Sequence, residues 1–585
     1  MKFFLPARLL AVALLLTAPA AAQVPAWQSG LQSTNLMPTD GTSASGQAVA
    51  TDATGRVYVG GSYGDESATG PATRSFGSAG TVGPGLGGFI AQASAAGQWS
   101  WVTPAVATGT NMFGRTVAGV SSVATTPGGD VYAAGYASGT TLTVGTVSQP
   151  LGTTGDAVWV ARFDAAGVCQ WLRVVANGRD EPRAAADPST GGVVVGGVFQ
   201  QPITFGTTTL TGSPGGRTRT IYVARLNAAG QWTSAVASAG PGRIERDFSL
   251  AVGPAGQVAV GGSYSGGSVQ FGPATLPAPV ANDEAFCVAQ LSAADQWQWA
   301  VAGSGSSFSA IYQVAYTLAG EVWAAGEGES GTVVGPATII TVGSGSLYDQ
   351  GGFIGLLSTA GQWVMSRVLA SSSLGSVVLG PLAVDSRGNA LVLGGLGGPG
   401  SAQLALDART LTAPADSILF FVSTLNRAGR WGAVTPLPLP ALAYGLSPTR
   451  IALDNAGNLY AVGSFTGALT LGTATLSGTY DPASGDGSDV LLAKLGNATA
   501  LPTRATAPAG TLACFPSPAH ATATLRLPGS SPQDQLITIT DALGRPVRQA
   551  TLPAATTQTA LDLRGLAPGL YLVRCGAATG KVVVE

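Results

Sequence analysis

The sequence predicts an all-β protein: a seven-bladed β-propeller followed by a small C-terminal β-sandwich. Two anchors that recur along the 585 residues predict the propeller. The first is a tryptophan that returns every 61 to 72 residues, at Trp27, Trp99, Trp171, Trp232, Trp297, Trp363 and Trp431. The second is a glycine that closes a short apolar run, at Gly61, Gly135, Gly197, Gly262, Gly326, Gly394 and Gly463. A repeat of this length is typical of a propeller or another array of equivalent units.

Each repeat combines short strands with two tight turns. Apolar runs such as 57–61 are rich in β-branched and aromatic residues, which predicts a strand. An acidic residue opens the turn before this strand and a glycine takes its positive-φ position. These pairs are Asp52/Gly55, Asp187/Gly191, Asp385/Gly388 and Asp454/Gly457. A later strand, such as 89–91, ends in a hairpin whose glycine precedes the tryptophan strand. Asp295 replaces that glycine once, which is tolerable because Asp enters the left-handed region more easily than most residues.

The two ends of the repeat region complement each other. The last repeat ends at strand 490–495 without a tryptophan strand, whereas Trp27 stands alone at the N-terminal end. We therefore expect the segment around Trp27 to supply the last strand of the seventh blade. This arrangement would close the ring and remove an open sheet edge.

The N-terminal residues predict an export signal over residues 1–22. Lys2 and Arg8 form a positive start, residues 9–16 are apolar, and residues 20–22 are the small alanines that signal peptidase accepts. The mature chain is expected to begin at Gln23. The apolar run is too short to span a bilayer, and no transmembrane span is predicted elsewhere.

Two resemblances follow from these motifs. Residues 454–465, Asp-Asn-Ala-Gly-Asn-Leu-Tyr-Ala-Val-Gly-Ser-Phe, resemble the repeat phrase of secreted bacterial β-propeller repeat (SBBP-like) proteins, which implies a propeller over residues 23–497. After a linker at 498–510, residues 511–585 resemble the type A C-terminal sorting domain of the Bacteroidetes type IX secretion system. The matching pieces are 515–518, 540–545, 566–571 and the closing stretch from Lys581. The second resemblance implies the type IX secretion machinery as a partner and a location outside the cell or on its surface.

Composition excludes some classes of function. Charged residues make up 10% of the chain, and 28 Lys and Arg are spread over its whole length with a net charge of −2. Nucleic-acid binding requires a concentrated basic face, so no nucleic-acid partner is expected. The single histidine, His520, lies in the C-terminal segment, which leaves the repeats without a Ser-His-Asp triad or a histidine metal site.

Three groups of residues are candidates for sites. Two charged segments are predicted as loops between blades on one face, and they would form a ligand-binding surface or, alternatively, interblade ion pairs: Arg179, Asp180, Glu181, Arg183, Arg243, Glu245, Arg246 and Asp247. Asp481, Asp486 and Asp489 offer oxygen ligands that Ca²⁺ prefers, and no other cofactor is expected. Cys514 and Cys575 are the disulfide candidates of an exported chain, whereas Cys169 and Cys287 fit small buried residues.

The sequence favours a secreted or cell-surface binding module, acting as a monomer on an extracellular glycan or protein. Two other classes stay open. One is an extracellular enzyme that acts on glycans or peptides through carboxylates on the channel face. The other is a purely structural surface protein.

Overall fold

The computed structural model describes residues 25–36, 42–64, 73–152, 156–212, 218–245, 248–280, 283–304, 307–340, 350–373, 375–437, 447–479, 487–496, 498, 512–527, 534–541, 545–575 and 578–585, with the side chains of 179, 180, 447, 448 and 579 outside the description. The predicted export signal, residues 1–22, lies outside these residues. The chain divides into two compact units, Met1–Leu501 and Pro502–Glu585. Among the described residues, no helix is long and apolar enough to cross a membrane.

The first unit is built from strands, which confirms the all-β class. Two strands precede the repeats: β1 (Ala26–Gln32) and β2 (Thr34–Asn35). The first repeat contains β3 (Ala44–Thr51), β4 (Val57–Tyr63), β5 (Arg74–Ser75), a 3-10 helix (Gly77–Ala79), β6 (Thr81–Val82), β7 (Gly87–Ala93) and β8 (Trp99–Thr108). The second contains β9 (Val117–Thr125), β10 (Val131–Ser138), β11 (Thr141–Val144), β12 (Val147–Pro150), β13 (Asp156–Phe163) and β14 (Cys169–Ala176). The third contains β15 (Arg179–Ala186), β16 (Val193–Phe199), β17 (Ile203–Phe205), β18 (Thr208–Leu210), β19 (Thr220–Leu226) and β20 (Trp232–Ala237).

The later repeats follow the same order. The fourth contains β21 (Arg243–Ile244), β22 (Ser249–Val252), β23 (Val258–Ser265), β24 (Val269–Phe271), β25 (Ala274–Leu276), β26 (Glu284–Leu291) and β27 (Trp297–Ala302). The fifth contains β28 (Ser309–Tyr316), β29 (Val322–Glu329), β30 (Val333–Val334), β31 (Ala337–Thr338), β32 (Gln350–Leu357) and β33 (Trp363–Leu369). The sixth contains β34 (Ser376–Val384), β35 (Ala390–Gly398), β36 (Ala402–Leu406), β37 (Arg409–Ala413), β38 (Ser417–Leu425) and β39 (Trp431–Pro436). The seventh contains β40 (Ser447–Leu453), β41 (Leu459–Phe465), β42 (Gly467–Leu471), β43 (Ala474–Gly478) and β44 (Asp489–Gly496).

Every repeat forms a four-stranded antiparallel sheet, numbered here as sheets 1 to 7. In sheets 2, 3, 5 and 6 the strands pair in chain order, as in β9-β10-β13-β14, and a short hairpin separates the second strand from the third. Sheet 1 has the same core, β3-β4-β7-β8, and β8 also pairs with β11. In sheet 4 the first strand is broken into β21 and β22, and both pair with β23. The first strands contact one another in the cyclic order β3, β9, β15, β22, β28, β34, β40 and back to β3.

Sheet 7 takes its fourth strand from the N-terminal end of the chain. β1 pairs antiparallel with β44, from Ala26 opposite Gly496 to Gln32 opposite Leu491. The Trp27 indole donates from Nε1 to the Pro436 carbonyl oxygen at 2.8 Å, which ties the added strand to sheet 6. The predicted pairing of the two ends of the repeat region is therefore present in the structure.

The predicted turn chemistry is confirmed. Asp52 Oδ1 accepts the backbone N–H of Thr54 at 2.8 Å and of Arg56 at 3.1 Å, and Gly55 has φ +80°. Burial opposes ionisation of Asp52, but the hydrogen bonds from Thr54 and Arg56 outweigh it and lower the pKa of this carboxyl. At the hairpin before Trp297, Asp295 takes φ +58°, as predicted for the residue that replaces glycine.

The tryptophan register differs from the prediction at one repeat. Each fourth strand places one anchor residue opposite the end of the third strand, as in Trp99 opposite Ala93 and Trp232 opposite Leu226. In sheet 2 this position belongs to Cys169, opposite Phe163, whereas Trp171 lies opposite Arg162. Trp171 was therefore wrongly aligned as an anchor. The hairpin glycine marks the true register, because Trp99 and Cys169 both follow it by two residues.

A bulge in the first strand explains the anchor glycines of sheets 1 and 2. Gln47 is the extra residue in sheet 1 and Ser121 the extra residue in sheet 2. The bulge brings a first-strand carbonyl close to the second strand: a Cβ on Gly61 would lie 2.0 Å from the Ser45 oxygen, and one on Gly135 would lie 1.9 Å from the Gly119 oxygen. Any larger residue would collide with this backbone.

The C-terminal unit consists of two antiparallel sheets around one core. Its strands are β45 (Ala513–Phe515), β46 (Thr522–Arg526), β47 (Gln535–Thr540), β48 (Pro546–Leu552), β49 (Gln558–Asp562), β50 (Gly569–Cys575) and β51 (Ala578–Val584). The sheets are β45-β46-β49 and β48-β47-β50-β51. Leu525 and Leu561 from the first sheet and Ile537, Val573 and Val582 from the second pack in the shared core.

Candidate binding cleft

A cleft of about 400 Å³ opens between sheets 2 and 3. Its walls come from strand ends and from the connections that lead into them. Its lining residues are Arg115, Val117, Tyr136, Ala137, Ser138, Asp156, Ala157, Gly178, Glu181, Gln200 and Arg219. Two arginines, two carboxylates and one amide thus face a single space. A concave site with a few convergent polar groups is typical of a ligand-binding site.

Asp156 is held in place at the edge of the cleft. It begins β13 and pairs with Ser138 at the end of β10. Its Oδ1 accepts hydrogen bonds from Ser138 Oγ at 2.6 Å and from Asn111 Nδ2 at 2.8 Å. These two donors orient the carboxylate, so that a ligand would meet a preorganised acceptor.

The connection between sheets 1 and 2 forms one side of this region. Asn111 is buried, and its Oδ1 accepts the backbone N–H groups of Phe113 and Arg115, each at 2.9 Å. The fixed turn leaves Met112 and Phe113 exposed, with 71% and 66% of their surface accessible. A large aromatic side chain thus stands in solvent on a restrained backbone, two residues before Arg115 in the chain.

The first charged segment folds differently from its prediction. Residues 179–186 form strand β15 instead of a loop, because a bulge between Arg179 and Arg183 lets the proline-containing segment remain in the sheet. The backbone of Arg179 and Asp180 lies in this strand, but their side chains lie outside the described part of the chain. Glu181 does line the cleft.

Arg183 connects three sheets. Its guanidinium donates from Nη1 to the Ser121 carbonyl at 2.9 Å, from Nε to the Phe248 carbonyl at 3.3 Å, and from Nη2 to Glu181 Oε2 at 3.3 Å. These contacts span the first strand of sheet 2 and the segment before β22. The contacts to the other repeats are hydrogen bonds to backbone carbonyls, whereas the ion pair with Glu181 lies within β15, so Arg183 does not form the expected ion pair between repeats.

The second charged segment lies elsewhere. Arg243 belongs to strand β21, and its Nη2 donates to Glu245 Oε1 at 2.7 Å, while the Ser265 hydroxyl also bonds to Glu245. Neither residue lines the cleft. Arg246 and Asp247 lie outside the described residues. Of the side chains described from the eight predicted positions, the cleft therefore brings in only Glu181.

Sequence reasoning missed the other polar groups of the cleft, namely Arg115, Asp156, Gln200 and Arg219. One pattern in the sequence could have indicated the position of Arg115. Asn111-x-x-Gly114 repeats the pattern of the Asp52-x-x-Gly55 turn at a position between repeats, where it fixes the connection that carries Arg115. The other three residues come from different strand ends, and only tertiary structure brings them together.

The structure gives the aspartate at the predicted metal position another role. Both oxygens of Asp489 accept hydrogen bonds: Oδ1 from Ser33 Oγ at 3.2 Å and Arg74 Nη1 at 3.3 Å, and Oδ2 from Thr479 N and Oγ1 at 2.7 Å each. The side chains of Arg74 and Asp489 are both fully buried. Asp481 and Asp486 lie outside the described residues, among which no group of three metal-binding side chains was found.

All four cysteines are free thiols, so the structure does not contain the disulfide expected between Cys514 and Cys575. These two residues lie in opposite sheets of the C-terminal unit, and the Cys575 thiol instead contacts Gln535 Oε1 at 3.6 Å. Cys169 and Cys287 are buried, as predicted. Burial raises the pKa of the Cys169 thiol to about 11 and that of Cys287 to about 12, which keeps both protonated at neutral pH.

Comparison with known proteins identifies the C-terminal unit. Residues 513–585 match the family described as the secretion system C-terminal sorting domain. The unit is a type IX sorting domain. It implies interaction with the secretion machinery, and it identifies the protein as secreted or displayed at the cell surface.

The remaining comparisons add little about the repeats. No curated protein matches the chain. Similar solved structures include proteins of unknown function from Bacteroides caccae (11% identity, covering 52% of this chain and 78% of that chain, TM-score 0.26) and Dyadobacter fermentans (10%, 67% and 97%, TM-score 0.31), and a glycoside hydrolase family 32 structure from Bifidobacterium adolescentis (9%, 96% and 94%, TM-score 0.24).

Proposed function

We propose that the first unit is a seven-bladed β-propeller that acts outside the cell as a binding module. The cyclic contacts of the first strands support a closed ring of sheets. So do the side-chain hydrogen bonds between neighbouring repeats. Thr51 Oγ1 donates to the Leu453 carbonyl of sheet 7 at 2.6 Å, and Thr125 Oγ1 of sheet 2 donates to the Thr51 carbonyl at 2.7 Å.

The observation that carries the binding role is the cleft between sheets 2 and 3. It combines a volume suited to a small ligand, charges of both signs and an oriented carboxylate at Asp156. The type IX sorting domain brings this cleft to the outside of the cell, where a soluble or surface-bound ligand can reach it.

Binding to the surface of the producing bacterium tests the proposal. Fluorescently labelled full-length chain is titrated onto whole cells and onto extracted extracellular polymer, and the double variant R115Q/E181Q is compared with R243Q/E245Q. The control pair also carries one arginine and one glutamate but does not line the cleft. Hydrogen bonds to charged groups contribute about 1.5–3 kcal/mol each, so R115Q/E181Q should weaken binding at least about tenfold. Equal binding by both variants would contradict the proposal.

One observation favours a second candidate, a carboxylate-based hydrolase. Asp156 and Glu181 line the same cleft, and acid-base hydrolysis of glycans needs two carboxylates across one site. The same polymer extracts distinguish the two functions. A hydrolase releases soluble fragments and loses this release in D156N, whereas a binding module releases none.

A further inference from the structure

We propose that the cleft between sheets 2 and 3 binds a neutral glycan, with Phe113 as the surface on which one sugar ring stacks. This inference rests on the binding role proposed above and names the class of ligand. Two features of the described residues carry it: the charge balance of the cleft, and the exposed aromatic residue on the connection that carries Arg115.

The charges of the cleft balance. Arg115 and Arg219 oppose Asp156 and Glu181 among its lining residues. A phosphate or an acidic polymer would be selected by an excess of arginine, and a cationic peptide by an excess of carboxylate. Planar groups of both kinds, together with the Gln200 amide, instead suit the paired hydroxyl groups of a sugar, each of which both donates and accepts hydrogen bonds.

The loop tip supplies an apolar surface. Phe113 is 66% exposed although Asn111 restrains the backbone on both sides of it. Asn111 also donates to Asp156, so that the loop and the oriented carboxylate belong to one hydrogen-bonded structure. A sugar ring has an apolar C–H face and hydroxyl groups around its edge, which would allow one ring to cover Phe113 while its hydroxyls reach Arg115 and Asp156.

Defined oligosaccharides test this inference. The full-length chain is titrated with neutral gluco-, manno-, xylo- and galacto-oligosaccharides of three to six units, and an array of extended peptides is probed in parallel. The variant F113A is compared with L318A, which removes another exposed apolar side chain from a turn that does not line the cleft. At least one neutral series should bind, with affinity at least about tenfold weaker in F113A and within about twofold of wild type in L318A.

Three outcomes would overturn the inference. If no neutral oligosaccharide binds while R115Q/E181Q still reduces binding to cells, the ligand class is wrong but the proposed binding function stands. If a peptide binds in a manner that depends on Phe113, the cleft recognises protein. If an oligosaccharide binds equally well to F113A and L318A, the glycan site lies elsewhere on the molecule.

Discussion

A disulfide across β1 and β44 would test whether the chain closes on itself. Ser29 and Lys494 are register partners in this antiparallel pair, and such partners have Cα atoms about 4.5–5.5 Å apart, within the range that a disulfide spans. The variant S29C/K494C would link the two ends of the repeat region and enclose the roughly 465 residues between positions 29 and 494. Chain-entropy estimates for a loop of this length give about 6 kcal/mol of stabilisation.

The matched control links neighbours within one repeat. T204C/T209C joins register partners of the β17-β18 hairpin and encloses about five residues, for which the same relation gives about 2 kcal/mol. Guanidinium unfolding of each variant, oxidised and reduced, measures the difference, and the four native thiols add no disulfide to the comparison. Stabilisation by S29C/K494C should exceed that of the control by about 4 kcal/mol. Failure of the long-range disulfide to form, or a gain no larger than that of the hairpin, would refute the closure.

Three further predictions concern the packing of the repeats. Replacing Arg74 with Met leaves the buried Asp489 carboxylate without its cation and should lower the free energy of unfolding in urea by about 3–5 kcal/mol. The variant R243Q/E245Q removes a pair whose arginine is half exposed and should change it by less than about 1 kcal/mol. Similar losses in the two variants would contradict a buried ion pair. Trp99→Ala should lower the free energy of unfolding by about 3–5 kcal/mol because the indole is buried. Cys169→Ala, at the equivalent position of sheet 2, should lower it by about 1 kcal/mol. The reverse order of unfolding midpoints would contradict the corrected register. Burial raises the pKa of Tyr63 from 10 to about 12, so that its contribution to stability is complete below pH 10 and is lost as pH rises to 12. Between pH 9 and pH 12 the free energy of unfolding of Y63F should therefore fall by about 2–3 kcal/mol less than that of the wild type. If the free energies of unfolding of the two proteins change in parallel with pH, this tyrosine does not titrate as stated.

Local chemistry could be predicted from the sequence. The Asp52 turn and the left-handed Asp295 depend on a few adjacent residues, and both follow from general rules for tight turns. The pairing of β1 with β44 was also predictable, because one strand was missing at one end of the repeats and one was left over at the other. These features need only a repeat count and the conformational preferences of single residues.

Three other features that depend on register or tertiary contact were not predicted. Spacing alone aligned Trp171 with the other anchors, but strand pairing places Cys169 there. The Arg-Asp-Glu-Pro-Arg segment has the composition of a loop, yet a bulge keeps it in β15. Asp489 occurs among turn residues, and only the fold brings the buried Arg74 to it from a distant hairpin.

The location of the cleft follows from differences among otherwise equivalent repeats. In sheets 1, 6 and 7 the turn between the first and second strands has the same aspartate chemistry, which leaves little to distinguish these repeats on that side. The connections from one sheet to the next differ in length: residues 109–116 separate β8 from β9, whereas only residues 177–178 separate β14 from β15. The long connection provides Arg115 to the cleft and carries the exposed Phe113, and the short one provides Gly178 to the lining. The proposed binding site thus lies where neighbouring connections are unequal, and exchanging residues 109–116 for a two-residue link should abolish the proposed ligand binding without changing the strand pairing of sheets 1 and 2.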